Sequence, residues 1–304
     1  MKKWILVFFG VLAAAVLLIE IFIPPTLTIT RVVPARCRAE AAFPFLSDEA
    51  RWKRWWPDSV VRGDFHIQRL AYLSMDIAIR DGQQVLGSRM SLLPMGNQDS
   101  LLLHWETQIH CGWSPVDRLR QYRRAGRLAE VMDGILGQAG EFLGKKENLY
   151  GVPIGEGSTR DTLLIATRVE KTGLPTNEDI YAQMGRLLRY IGEAHTQQAG
   201  YPMVNFTPIE DRPGAYRLMV AIPVASRMES KGDLVFMRLI PGKYLITEVT
   251  GGPGTVAMAL AGLKDYIRDY QRTVMAIPFQ SLVTDRMQVT DTTRWVTRIY
   301  YPVM

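Results

Sequence analysis

The polar and apolar positions fall into three regimes along the chain. From Trp4 to Ile23 every position is apolar or small except Glu20, and Pro24-Pro25 closes the run. A stretch of about 20 such residues predicts a membrane-spanning helix, and two prolines end it because proline cannot continue the helical ladder. The second regime alternates. "TLTITRVVPAR" is β-branched at every second place and predicts a strand. "FHIQRLAYLSMDIAI", "QVLGSRMSLL" and "DSLLLHWETQIH" predict antiparallel strands, with turns at Asp81-Gly82 and Gly96-Asn97. A change to helical period follows: Leu128, Val131, Met132, Ile135, Leu136, Ala139, Phe142 and Leu143 fall on one stripe. That stripe must be buried, and the preceding sheet is its natural partner.

The third regime repeats itself. "TGLP" at 172–175 is answered by "TGGP" at 250–253, an offset of 78, and "YRLMVAIPV" at 216–224 by the closing "RWVTRIYYPVM" at 294–304. The helix after the first TGxP carries its stripe on Ile180, Met184, Leu187, Leu188 and Ile191. The second uses Val256, Ala259, Leu260, Leu263, Ile267 and Tyr270. A strand precedes each helix ("DTLLIATRVEK" and "YLITEVT") and two follow it. One strand–helix–strand–strand unit cannot bury both its helix and its sheet, so two are expected to pair into one domain. The predicted fold class is therefore α+β: a transmembrane anchor over 1–25, a sheet-and-long-helix domain over 26–150, and a tandem-repeat domain over 151–304.

Charge refines this picture. Lys2 and Lys3 precede the apolar run, which favours a cytoplasmic N-terminus. A single-pass protein of the inner membrane is expected, held through residues 4–23, with both domains on the periplasmic side; a cleaved signal peptide is the alternative. The net charge of +6 is spread out, with 17 basic and 14 acidic residues over 25–150 and 17 and 15 over 151–304. No basic stripe stands out, so a nucleic-acid partner is not expected. There is no Gly-rich phosphate loop, zinc spacing or HExxH pair, so neither a cofactor nor a metal is expected. Cys37 and Cys111 would meet an oxidising compartment, where they are either two buried free thiols or a disulfide. His104 and Glu106 share one side of a predicted strand, a poor beginning for a metal site.

Two stretches resemble known families. "VVPARCRAEAAFPFLSDEARWKRWWP" resembles the opening of START-like, polyketide-cyclase-type (SRPBCC) domains, with Phe45 to Pro57 as the specific part. That resemblance implies a curved antiparallel sheet gripping a C-terminal helix around a cavity for a lipid-like or aromatic ligand. Trp52, Trp55 and Trp56 then either line its mouth or plug the end of the sheet. "IPGKYLITEVTGG", "LVTDR" and "VTRIYYPV" resemble the GyrI-like effector-binding domain, over about 155–304. This implies a cleft between the repeats for varied organic molecules, often aromatic or cationic. Where that family often carries a ligand-meeting Glu in its last strand, this chain has Arg298, which shifts the expectation towards neutral or anionic ligands.

Side chains alternate along a strand, so Val296, Arg298 and Tyr300 share one face, as do Tyr244, Ile246 and Glu248. Arg298, Glu248, Tyr300 and Tyr244 are the candidate ligand-binding residues, with Glu248–Arg298 either part of the pocket or a simple cross-strand ion pair. No catalytic residue is named. The expected function is non-enzymatic binding of a small organic or lipid-like molecule by a membrane-anchored protein. The alternative is a hydrolase acting on small reactive compounds in the GyrI-like cleft, for which Glu248 is the one acid at hand.

Overall fold

The structure, a computed structural model, describes residues 2–96, 99–159, 162–239 and 241–304, without the side chains of Lys2, Lys3, Ile5, Leu6, Phe9, Ala15 and Thr159. Asn97 of the expected turn, Asp161 at the start of an expected strand, Ile240 at the start of the GyrI-like stretch "IPGKYLITEVTGG", and the two lysine side chains thus lie outside the described residues. The chain divides into two compact units, Met1–Lys145 and Lys146–Met304.

The N-terminal unit opens with α1 (Lys2–Phe22), then β1 (Thr26–Ala35), α2 (Ala39–Leu46) and α3 (Glu49–Trp52). Four strands follow, β2 (Phe65–Ala71), β3 (Ser74–Asp81), β4 (Gln84–Pro94) and β5 (Leu101–His110), and last α4 (Pro115–Leu143). The sheet is antiparallel in the order β1-β5-β4-β3-β2. Alternation decides its buried face: Leu101, Leu103, Trp105, Thr107 and Ile109 of β5 point inward, against Leu128, Met132, Ile135, Leu136 and Ala139 of α4. Two buried polar side chains are satisfied in a chain, Trp105 Nε1 donating to Ser88 Oγ (2.9 Å) and that hydroxyl to the Ile77 carbonyl (2.8 Å).

The anchor expectation is corrected here. Among the described residues no helix is long and apolar enough to cross a membrane. The single-pass inner-membrane placement and the membrane as a partner lose their support with it. Glu20, the one acid in the apolar run, is engaged. The buried guanidinium of Arg118, on α4, meets the Glu20 carboxylate at 2.8 Å and also donates to the carbonyls of Glu20 (3.2 Å) and Ile23 (2.9 Å). The C-terminal turn of α1 is thereby fastened to the unit that follows it.

"FHIQRLAYLSMDIAI" is two strands rather than one. The chain turns at Tyr72-Leu73, where Leu73 takes φ 51° without the Gly or Asn that usually marks such a turn. The expected turn at Gly82 has its left-handed residue, φ 64°. Trp52 and Trp55 are buried and Trp56 is half-buried. Trp52 stacks on Trp56 at 5.0 Å, and Trp56 meets Phe65 edge-on at 5.0 Å. Their place is in the core at one end of the sheet. Cys37 and Cys111 are free, the first buried.

The C-terminal unit holds α5 (Lys146–Tyr150), β6 (Gly155–Thr159), β7 (Thr162–Thr172), α6 (Asn177–Glu193), β8 (Met203–Pro208), β9 (Ala215–Pro223) and β10 (Val235–Leu239). It continues with β11 (Gly242–Thr250), α7 (Pro253–Asp269), β12 (Phe279–Leu282) and β13 (Val296–Val303). One eight-stranded sheet runs β10-β7-β9-β8-β12-β13-β11-β6. Its middle is two copies of one arrangement, β7-β9-β8 and β12-β13-β11, joined where β8 pairs with β12. The first copy carries α6 and the second α7. Ile165, Leu218, Val220 and Ile222 pack on Ile180, Met184, Leu187 and Ile191 of α6, which leaves the alternate residues of the same strands on the opposite face.

Candidate functional site

The face of this sheet turned away from α6 is the candidate site. On the first copy it presents Leu164, Ala166 and Arg168 of β7, Arg217, Met219 and Ala221 of β9, and Met203, Asn205 and Thr207 of β8. Across the join, Ser281 stands opposite Met203, and Phe279 stands opposite Tyr300. The register carries the same face on to Arg298 and Tyr300 of β13 and to Tyr244, Ile246 and Glu248 of β11. All four candidates from the sequence therefore lie on one sheet face, on adjacent strands of the second copy.

Their surroundings differ. Tyr244 is buried and Tyr300 is half-buried. Tyr300 stacks on Phe279 (centroids 4.9 Å apart, planes at 13°), and Tyr244 meets both rings edge-on at 6.0 and 6.2 Å. Glu248 is directly opposite Arg298, and one carboxylate oxygen accepts from Arg298 Nη2 at 2.7 Å and from Nε at 3.0 Å. Both side chains are substantially exposed, 40% for Arg298 and 48% for Glu248. Hydrogen bonds to Tyr300 and Glu248 raise the Arg298 pKa above its ordinary value.

A cavity of about 460 Å³ opens on the same face over the first copy. Leu164 and Ala221 line its floor, with Ala166 buried in the same apolar cluster and Met203, Met219, Met237 and Leu239 packed around them. Phe279 and Ile277 of the second copy close one side, and Arg168 and Arg217 stand at the edge. Asn205 is tied by its side-chain amide to the Pro278 carbonyl at 2.7 Å, which fixes the segment leading into Phe279.

Why the space lies over the first copy follows from register. Thr172 and Thr250 begin the two TGxP turns, so positions can be matched by counting back along β7 and β11. Ala166, opposite Ala221, corresponds to Tyr244, opposite Pro302; Arg168, opposite Met219, corresponds to Ile246, opposite Tyr300. The second copy thus sets an aromatic ring and a proline where the first has two alanines, on the face where the first copy's cavity opens. Glu170 opposite Arg217 likewise corresponds to Glu248 opposite Arg298. In the first copy, however, Arg212 also grips Glu170, and Arg217 Nη2 sits farther off at 3.3 Å. Both partners, Arg212 before Arg217, hold the Glu170 carboxyl below its usual range.

Sequence reasoning did not single out the cavity residues. Their signal was the internal repeat itself: aligning the copies by their Glu–Arg pairs sets two small residues against Tyr244 and Pro302. In the N-terminal unit a second space of about 320 Å³ lies beside α4, edged by Arg80, Asp81, Arg124 and Arg127, with Arg124 Nε on Asp81 at 2.5 Å. His104 and Glu106 stand on the face of β5 opposite its buried residues.

No protein-family model matches the chain, and no curated protein is similar enough to match it. Among solved structures, the EcmrR C-terminal domain is similar over 50% of this chain and 98% of its own, at 13% identity and a TM-score of 0.42. SAV2435 bound to tetraphenylphosphonium is similar over 50% and 93%, at 19% identity and a TM-score of 0.35. A hydrolase encoded by lin2189 from Listeria innocua is similar over 50% and 91%, at 12% identity and a TM-score of 0.38. At these scores the likenesses carry no argument about ligand or chemistry. The START-like resemblance of residues 27–150 finds no support among them.

Proposed function

We propose that this protein binds a small, mainly apolar organic molecule in the cavity of its C-terminal unit and does not transform it. The observation that carries this reading is the asymmetry of the two copies: a cavity of about 460 Å³ floored by Leu164 and Ala221 opens over the first copy, whereas Tyr244, at the counterpart of Ala166, and its neighbouring rings occupy the same face of the second. That volume is in the usual range for small-molecule sites, which are mostly apolar with a few polar groups at the edge. Three methionines around the floor, Met203, Met219 and Met237, suit guests of varied shape because their unbranched side chains repack at little cost. The resemblance of residues 155–304 to GyrI-like effector-binding domains points to the same role. Tyr300 and Tyr244 then act as the backing of the Phe279 wall, and Arg298–Glu248 as an ion pair further along the face.

Hydrolysis is the weaker reading. It needs a nucleophile and a base at the bound molecule. Among the described residues lining the cavity, Thr207 is the one hydroxyl, and there is no carboxylate, His, Cys, Ser or Lys.

The test borrows from the protein's own second copy. Calorimetric titration of the full chain with 6-phenylhexan-1-ol, a neutral probe, is expected to show saturable one-to-one binding, and Ala166→Tyr to abolish it while circular dichroism remains unchanged. Undiminished binding by folded Ala166→Tyr would place the site elsewhere.

A further inference from the structure

We infer that the cavity selects organic acids: an aryl-alkanoate whose apolar body lies over Leu164 and Ala221 and whose carboxylate is met by Arg168 and Arg217. This rests on the reading of the cavity as a ligand site and names the class of its ligand.

Three observations converge on it. First, the charged side chains that line the cavity are all arginines, with no acid among the described lining residues. A cavity for cations would need the opposite. Second, Arg168 and Arg217 are diagonal neighbours on one face of a β7–β9 pair, since Arg168 is opposite Met219 and Arg217 is opposite Glu170. Diagonal partners on such a pair stand about 7–8 Å apart, near enough for two long side chains to converge on one carboxylate. Third, the acid beside them is already occupied. Glu170 is gripped by Arg212, which leaves Arg217 at 3.3 Å, a looser contact than the 2.7 Å that Arg298 makes in the second copy. Arg168 has no ion-pair partner among the described residues; its place in the second copy is taken by Ile246.

The chemistry follows from the guanidinium. It stays charged at any working pH and offers a planar fork of donors that fits a carboxylate. Next to a low-dielectric floor such a bond is stronger than in open water. The aromatic preference comes from the wall, where Phe279 is braced by the stacked Tyr300 and offers a ring face or edge to a guest.

The test compares three probes of one shape on the full chain: 6-phenylhexanoate, 6-phenylhexan-1-ol and 6-phenylhexylamine, titrated calorimetrically at pH 7. The acid is expected to bind about tenfold more tightly than the alcohol, the gain of one charge-assisted contact, and the amine more weakly than either. Arg168→Gln, at an exposed position that leaves the core untouched, is expected to remove the acid's advantage over the alcohol; Arg168→Lys should restore part of it. An alcohol that binds as well as the acid, or an acid advantage that survives Arg168→Gln, would overturn the selectivity while leaving the cavity reading in place. Failure of all three probes to bind the wild type would overturn both.

Discussion

At the residue scale, two side-chain environments make firm demands. Arg298 and Glu248 are roughly half-exposed, and exposed ion pairs contribute about 0–1 kcal/mol because solvent screens them and two side chains lose freedom. Arg298→Gln is therefore expected to lower the free energy of unfolding in urea by less than about 1 kcal/mol and to leave 6-phenylhexan-1-ol binding unchanged. A loss of binding would return Arg298 to the ligand site. Cys37 behaves differently. Burial pushes its thiol from an ordinary 9.0 up to about 12, whereas the less buried Cys111 is raised by desolvation and pulled back by Arg118. The folded state holds the Cys37 proton that the unfolded chain gives up, so this stabilisation is complete below pH 9 and is lost as pH rises from 9 towards 12. Iodoacetamide at pH 9 should alkylate Cys111 well before Cys37, with Cys37 reacting only on unfolding; equal rates would contradict the burial. Which residues share a face could be read from alternation alone, as with Arg298, Tyr300 and Glu248. Whether they meet a guest could not, because that depends on the size of neighbours brought in by register.

At the element scale, the helices show how much one position can decide. α6 begins with a capping box, Thr176 accepting from the Asp179 amide at 3.3 Å and the Asp179 carboxylate accepting from the Thr176 amide at 3.0 Å. α7 starts instead on Pro253 after Gly252, and it is held through Gly262, where any Cβ would run into the Tyr150 carbonyl of α5. Backbone cannot yield as a side-chain tip does. Gly262→Ala is expected to destabilise the protein by about 1–3 kcal/mol in urea unfolding, the usual cost of overpacking; an unchanged midpoint would mean that α5 moves freely. Elements with an unmixed period were legible from the sequence: the α4 stripe and the inward residues of β5 followed directly from spacing. The turn at Tyr72-Leu73 was not, because its left-handed residue is a leucine. Nor was the fate of α1, whose apolar composition says nothing of the Arg118 guanidinium that reaches Glu20 and Ile23 from nearly a hundred residues away.

At the scale of the whole molecule, the internal repeat explains both the fold and the site of the C-terminal unit. Two strand–helix–strand–strand copies give one sheet with a helix on each half, and the sheet's other face carries the cavity. On the proposed reading, divergence between the copies determines where a guest fits. The repeat was visible in the TGxP turns and the paired closing strands, but the asymmetry emerges only when positions are matched through strand pairing, since loop lengths shift the simple sequence offset. The central claim is that the guest lies against Met203, Met219 and Met237. Methyl-labelled methionine offers the most direct measurement: carbon–proton correlation spectra of the full chain, recorded with and without 6-phenylhexan-1-ol. The account predicts that the Met203, Met219 and Met237 methyl signals shift with a common saturation curve, while Met75, Met90 and Met132, buried in the N-terminal unit, stay in place. Shifts confined to Met75, Met90 and Met132, or a spectrum unaltered at saturating probe, would contradict it.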